Sequence, residues 1–417
     1  MKSIKMIVSV FLAALMMFAV ACSSGDSVES FYTDKSENST IGSDETDKMQ
    51  DSSESEKSTE KENDTPTDSV GLDITDKTKI VSICYSMWFD TIAGGKIYDI
   101  SDILARNSAN ATDPSYSGWG NYGTFHYWSE PALGYYKSSD KSVIRTHMTQ
   151  LAEAGVDFII LDNTNANYNS WKADNYWKRM VSDPCKAICD TILEMRSEGK
   201  ETPYVVFWNR TESDCGWSTC EAVYKEFYAN GKYDDCWVYC DGKPLMLCAS
   251  SSYPNSLQLR HFRYASKLTL RDMTVTIFTG PRPATNQWTF ISDSKFPCKD
   301  ENKEYEQMSV YTARQSDYMS NTSTAVGRNG GKTFQKQWLR VFQHDPKIVT
   351  ITWWNEWAAQ RQRDRGGRVT FVDNYTQEYS RDIEPMKGGH GDKYYQWMKQ
   401  YISAYKAGED CPMDLID

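Results

Sequence analysis

The densest concentration of chemistry in this sequence is the run Trp353-Trp354-Asn355-Glu356-Trp357. It directly follows Ile348-Val-Thr-Ile-Thr352, a β-branched stretch with the character of a strand. A carboxylate at a strand end among three indoles sits in a partly dry setting, and burial of that kind raises a carboxyl pKa toward the range useful for proton transfer. The faces of Trp354 and Trp357 could stack on a sugar ring, and Asn355 offers an amide to its hydroxyls. The competing reading is a core tryptophan cluster with Glu356 paired to an arginine such as Arg361, since an unpaired buried carboxylate is costly.

Asp162 is the second candidate, at the end of Val156-Asp-Phe-Ile-Ile-Leu161 and beside Asn163, Thr164 and Asn165. The alternative for Asp162 is an Asx turn closing the strand. Hydrolysis of a glycosidic bond usually needs two flanking carboxyl groups, one an acid and one a base or nucleophile. Asp162 and Glu356 supply that pair if both strands open onto one face. Weaker candidates are Trp208-Asn209 after another strand, Arg282 after Gly280-Pro281, Trp88, and His126-Tyr127-Trp128 in a long loop. Glu212 and Asp214 could stand in for Asp162. Gly327-Arg-Asn-Gly-Gly-Lys-Thr333 falls one residue short of a phosphate loop and follows no apolar strand. No nucleophile elbow, zinc-protease or dinucleotide motif occurs, so carboxylates are the chemical groups to expect and no cofactor is implied.

The elements that must carry these residues alternate. Apolar strand runs at 79–85, 156–161, 203–208, 243–248, 273–278 and 348–353 are separated by helical patterns near 139–154, 175–197, 217–230, 256–268 and 333–343, with a last helix at 391–406. Asp140 is placed to cap one helix and Gly155 to end it. Near-continuous apolar strands separated by helices predict a buried parallel sheet. A doubly wound sheet is possible, but polar residues and tryptophans follow so many strand ends that a (β/α)8 barrel is the better expectation, with its site at the C-terminal ends.

Gly134-Tyr-Tyr-Lys-Ser-Ser-Asp140, then Val143-Ile144, His147-Met148, Leu151 and Ala154-Gly-Val-Asp-Phe158, resemble the opening of the endo-α-mannosidase-like glycoside hydrolases and their relatives acting on bacterial surface polysaccharides. Asp241-Gly-Lys-Pro244 and Trp354-Asn-Glu-Trp357 continue that likeness in order. The resemblance implies a (β/α)8 barrel and retaining or related glycoside hydrolysis without a redox cofactor, with Glu356 in a catalytic position. In that family a second catalytic glutamate stands three residues later, whereas this chain has Ala359. Mannose specificity is therefore not carried over, and a glycan-capturing protein on the same barrel is the rival expectation.

Composition sets the surroundings. Residues 1–21 have a signal-peptide layout, with Lys2 and Lys5 before an apolar run and Ala19-Val20-Ala21 before Cys22. That order resembles a lipobox, which implies acylation of Cys22 and anchoring on the outer face of a bacterial membrane. Residues 22–78 read as a disordered tether: 16 acidic against 5 basic residues between 23 and 78, almost nothing apolar to bury. Without the tether and the two leader lysines, 41 acidic face 39 basic residues, so the net charge of −11 belongs to the tether. The predicted catalytic domain, 79–417, is near neutral, and no basic patch argues for nucleic acid. A monomer acting on a glycan is expected. All 14 tryptophans lie in the domain, as core or as sugar platforms. Of the 11 cysteines, Cys215, Cys220, Cys236 and Cys240 are close enough in sequence to pair, while Cys84, Cys185, Cys189 and Cys248 look like buried hydrophobes.

Overall fold

The computed structural model describes residues 70–173, 175–211, 216–249, 262–315, 323–364, 366–373 and 375–416. The leader, Cys22, most of the tether, Glu212, Asp214, Cys215 and residues 256–261 of the predicted helix 256–268 lie outside the described residues, and the described remainder of that helix, 262–268, holds only a short 3-10 turn, Ala265–Lys267. From Ser69 onward the chain forms one unit. Packed structure thus begins before the expected residue 79: β1 (Leu72–Asp73) pairs in parallel with β6 (Val238–Cys240), and Ile74 is buried. The scattered apolar residues Leu72 and Ile74 were too few to read as an element.

The core is a mixed α/β assembly around a parallel sheet. Its strands are β2 (Ile80–Tyr85), β4 (Phe158–Asn163), β5 (Tyr204–Arg210), β7 (Lys243–Ala249), β8 (Thr269–Thr274), β9 (Gln287–Thr289), β10 (Gln307–Tyr311) and β11 (Ile348–Thr352). Parallel pairing runs from β10 through β11, β2, β4, β5, β7 and β8 to β9. Between β9 and β10 no backbone ladder forms. There the Gln307 side chain accepts from the Thr289 N–H at 3.1 Å and donates to the Thr289 carbonyl at 2.9 Å. β10 was not anticipated, because Gln307 and Ser309 interrupt its apolar character.

Strand side chains alternate between two faces, so one residue of offset decides which side a group serves. Val81, Ile83, Tyr85, Ile159, Leu161, Val205, Phe207, Val349 and Ile351 pack under helices Lys141–Glu153, Asp183–Ser197, Lys332–His344 and Lys393–Ala407. Ile80, Cys84, Phe158, Ile160, Val206, Trp208, Leu245, Leu247 and Ile348 point to the opposite face, which receives no helix. The sheet curls around that face: the ring of Trp208 on β5 lies 6.3 Å from that of Trp353 after β11, and 5.7 Å from Phe290 after β9. The expected capping holds, since Asp140 Oδ1 accepts from the Ser142 N–H at 2.9 Å and Gly155 takes φ +80°.

A smaller antiparallel sheet joins β3 (Phe125–Tyr127), β12 (Ala358–Gln362) and β13 (Thr370–Phe371). Its middle strand leaves directly from the Trp353–Trp357 run. Cys236 and Cys240 are free and buried, so the expected pairing between these two is not found, and Cys215 lies outside the described residues. No group of three or more metal-ligating side chains occurs among the described residues. No described helix is long and apolar enough to cross a membrane.

Candidate active site

The alternation of strand faces sorts the candidates. Asp162 follows Phe158 and Ile160 onto the helix-free face, with Trp208, Cys84 and Trp353. Asn163 and Asn209 fall on the other side, adjacent in register between β4 and β5, where Asn163 Nδ2 donates to Asn209 Oδ1 at 2.8 Å. They bind each other and lie outside the carboxylate cluster. Trp354 also turns outward, edge-on to His147 and Tyr395 in the core, and is fully buried.

Asp162 is 7% exposed. Its Oδ1 accepts both from the Thr164 N–H at 2.9 Å and from the Thr164 hydroxyl at 2.7 Å, the expected Asx-type closure. Oδ2 has no hydrogen-bond partner among the described residues. Burial pushes the Asp162 carboxyl up to about 6, the Thr164 hydrogen bonds opposing, while Asp373 adds to the rise and Arg381 works against it.

Glu356 is paired, and its partner is Arg381 rather than the expected Arg361. Arg381 Nη2 and Nε donate to Glu356 Oε2 at 2.6 and 2.9 Å. The same guanidinium reaches Asp373 Oδ1 at 3.3 Å, and its Nη1 donates to Gln315 Oε1 at 3.1 Å. Glu356 and Arg381 are 4% and 2% exposed. Burial raises the Glu356 carboxyl well above its usual range; Arg381 pulls it down, and Asp373, Asp382 and Asp162 push it up. Asp373 is raised by the same burial, again with Arg381 opposing. Three carboxylates thus share the influence of one guanidinium, and within the three only Asp162 lacks direct contact with it.

Sequence reasoning missed Arg381 and Asp373. Arg381 lies in an irregular segment, Ser380–Glu384, which no periodicity marks. The segment is laced to the end of β11: the Trp353 N–H donates to the Arg381 carbonyl, and the Ile383 and Glu384 N–H groups donate to the Trp353 and Trp354 carbonyls. Glu384 fixes it from the other side, accepting from Tyr136 Oη at 2.7 Å and Trp357 Nε1 at 2.5 Å, with His147 Nε2 at 2.9 Å. The available signal was indirect: a strand-end glutamate among tryptophans demands a cation, and Arg381 had no other evident task.

The remaining candidates disperse. Trp357 is buried, stacked on Trp128 at 4.9 Å, and so is core. Asn355 is buried and ties the start of the loop after β2, accepting from the Ser86 N–H at 2.8 Å. Trp88 packs in the helix-side core, and Trp208 donates its indole N–H to the Met273 carbonyl at 3.0 Å. Arg282 is exposed in a loop, its guanidinium 4.4 Å from the Phe296 ring centre. Ala359, at the position of the family's second glutamate, is buried in β12 opposite His126. The tryptophans as a group are interior: eight of them are less than 2% exposed or nearly so, among them Trp354 and Trp357.

No family model matches this chain. No curated protein matches it either. Among solved structures it is similar to the GH99 endo-alpha-mannosidase from Bacteroides thetaiotaomicron in complex with BIS-TRIS-propane, with a TM-score of 0.49 and 14% identity over 79% of this chain and 98% of that one. A second structure of the same enzyme gives 0.47 and 13% over the same shares. A glycoside hydrolase-like protein gives 0.45 and 12%, over 79% of this chain and 95% of that one.

Proposed function

We propose that this chain is an extracytoplasmic, lipid-anchored glycoside hydrolase built on a (β/α)8 barrel, in which Asp162 handles the proton and Glu356 is positioned by Arg381. The observation that carries the reading is the gathering of Asp162, Glu356 and the partly buried Asp373 around Arg381 among the described residues. A purely structural ion pair would need one carboxylate; additional buried acids cost stability and concentrate where chemistry is done. Asp162, raised to about 6 and with Oδ2 unengaged among the described residues, suits a general acid. Glu356 would then be the second carboxyl group of the pair, with Asp373 and Arg381 holding it in place. The helix-free face on which Asp162 and Trp208 converge would be the barrel interior, closed between β9 and β10 by the Gln307 side chain.

The sequence resemblance supports a glycan as substrate, and the replacement of the second glutamate by Ala359 supports a partner other than the family's own. A glycan-capturing role is the second reading, favoured by one observation: Glu356 is locked to Arg381 on two nitrogens. Incubating the purified protein with α- and β-linked polysaccharides and measuring new reducing ends separates the two. Release of reducing ends, falling away as the pH rises through about 6, is expected, because a general acid must hold its proton. Binding without release on the whole panel would give the capture reading precedence.

A further inference from the structure

The hairpin of β12 and β13 begins at Glu356 and returns to Asp373, so both carboxylates that grip Arg381 stand at its base. Its arm carries a different chemistry. Arg361, Arg363, Arg365 and Arg368 fall within eight residues, against the single acid Asp364, in a domain that is otherwise close to neutral. Arg363 and Arg368 are exposed and form no ion pair among the described residues.

Beside this arm is a cavity of about 440 Å³ walled by loop residues 114–122 and Arg361. That volume suits a small ligand. Arg361 is 4% exposed; its Nη1 and Nη2 donate to the Gly120 and Pro114 carbonyls. Its Nε is buried with no hydrogen-bond partner among the described residues. No carboxylate forms an ion pair with Arg361 there, and desolvation lowers its pKa. A guanidinium that lines a cavity and has no carboxylate partner is a group to which a carboxylate or sulfate is drawn.

The other walls are made for a sugar ring. Tyr122 is the only exposed aromatic residue among those described, at 40%, and its ring lies 4.6 Å from the Arg361 guanidinium. Tyr116 lines the same loop, with Ser117 and Asn121 offering hydroxyl and amide groups, while the Ser115 hydroxyl donates to Asp113 Oδ1 at 2.5 Å. The loop closes over the Tyr116 ring because residue 118 is glycine: a Cβ there would stand 2.2 Å from a ring carbon. An exposed tyrosine, short polar side chains and a guanidinium without a carboxylate partner are the components of a site for a saccharide with a negative charge.

We propose that this cavity is an accessory subsite for an acidic sugar residue, one bearing a carboxylate or a sulfate, and hence that the glycan is anionic. The proposal rests on the glycan reading and names the charge of its substrate. Five residues separate Glu356 from Arg361, which limits their Cα separation to about 18 Å, within reach of one extended oligosaccharide.

Calorimetric titration of the whole protein decides it. The probes are galacturonate oligosaccharides for the carboxylate, sulfated galactan oligosaccharides for the sulfate, and neutral galactan oligosaccharides as control. At least one anionic probe is expected to bind at least tenfold more tightly than the neutral one, and whichever binds identifies the anion. Arg361→Gln should weaken that binding tenfold or more. Tyr122→Ala and the double variant Arg363→Ala/Arg368→Ala change only exposed groups and should each weaken it several-fold, even if Arg361→Gln fails to fold. Equal affinity for the neutral probe, no binding of either anionic probe at millimolar concentration, or unchanged affinity in both surface variants would overturn the proposal. Anion binding without turnover on any polysaccharide would count against the hydrolase alone, and turnover of neutral glycans without anion binding against the subsite alone.

Discussion

A buried acid that is raised in pKa is a cost to the fold, and at Asp162 the cost can be read. Its carboxyl titrates at about 6 in the folded protein, against an ordinary value near 3.8. Between those two pH values the folded state keeps a proton that the unfolded state has released, so stability is greatest below the lower value and falls as the pH rises through the upper one. Asp162→Asn keeps an oxygen to accept from Thr164 and removes the charge. The variant is expected to melt above the native protein at pH 7, by a difference worth about 1–3 kcal/mol, and to lose that advantage near pH 4. Thermal denaturation at the two pH values checks it; a variant less stable at pH 7 would make Asp162 a structural hydrogen-bonding group and nothing more. Glu356 differs in kind. Its partner Arg381 also holds Asp373, so removing Glu356 leaves an ion pair, whereas removing Arg381 would strand two buried carboxylates.

Among the elements, the decisive one has no regular structure. Segment Ser380–Glu384 brings Arg381 to the cluster and is itself held by Glu384, which takes hydrogen bonds from Tyr136 and Trp357 and contacts His147. Glu384→Ala would leave those buried donors unmatched, at a cost of roughly 3 kcal/mol or more, and would let Arg381 shift. A drop in melting temperature of several degrees is expected together with loss of turnover, measured on the residual folded protein. Full turnover in a destabilised variant would mean that the position of Arg381 is immaterial. Many regular elements were legible in the sequence because apolar runs and caps are local: Asp140, Gly155, the strand that carries Asp162 and the strand ending at Thr352 stand where they were expected, whereas the strand expected at 273–278 is β8, Thr269–Thr274. The pair Glu356–Arg381 was not, because two residues 25 positions apart meet through a segment that carries no period. The Trp354–Trp357 run misled for the same reason: alternation sends Trp353 to the helix-free face and Trp354 to the core, and composition cannot say which.

For the molecule as a whole, charge is distributed by function. The acidic excess lies before the domain, and within the domain acids gather at Arg381 while arginines line the hairpin arm a few residues away. If Cys22 carries the anchor, Cys22→Ser should move the protein from the membrane fraction to the soluble one; retention in the membrane would assign the attachment elsewhere. The account as a whole depends on one group moving a proton. Its most direct test is the turnover number of Asp162→Asn on whichever polysaccharide the native protein cleaves, at pH 5, with folding confirmed by melting temperature. A fall of about 10²–10⁴-fold in a folded variant is the predicted result. Turnover within a few-fold of the native protein would contradict it.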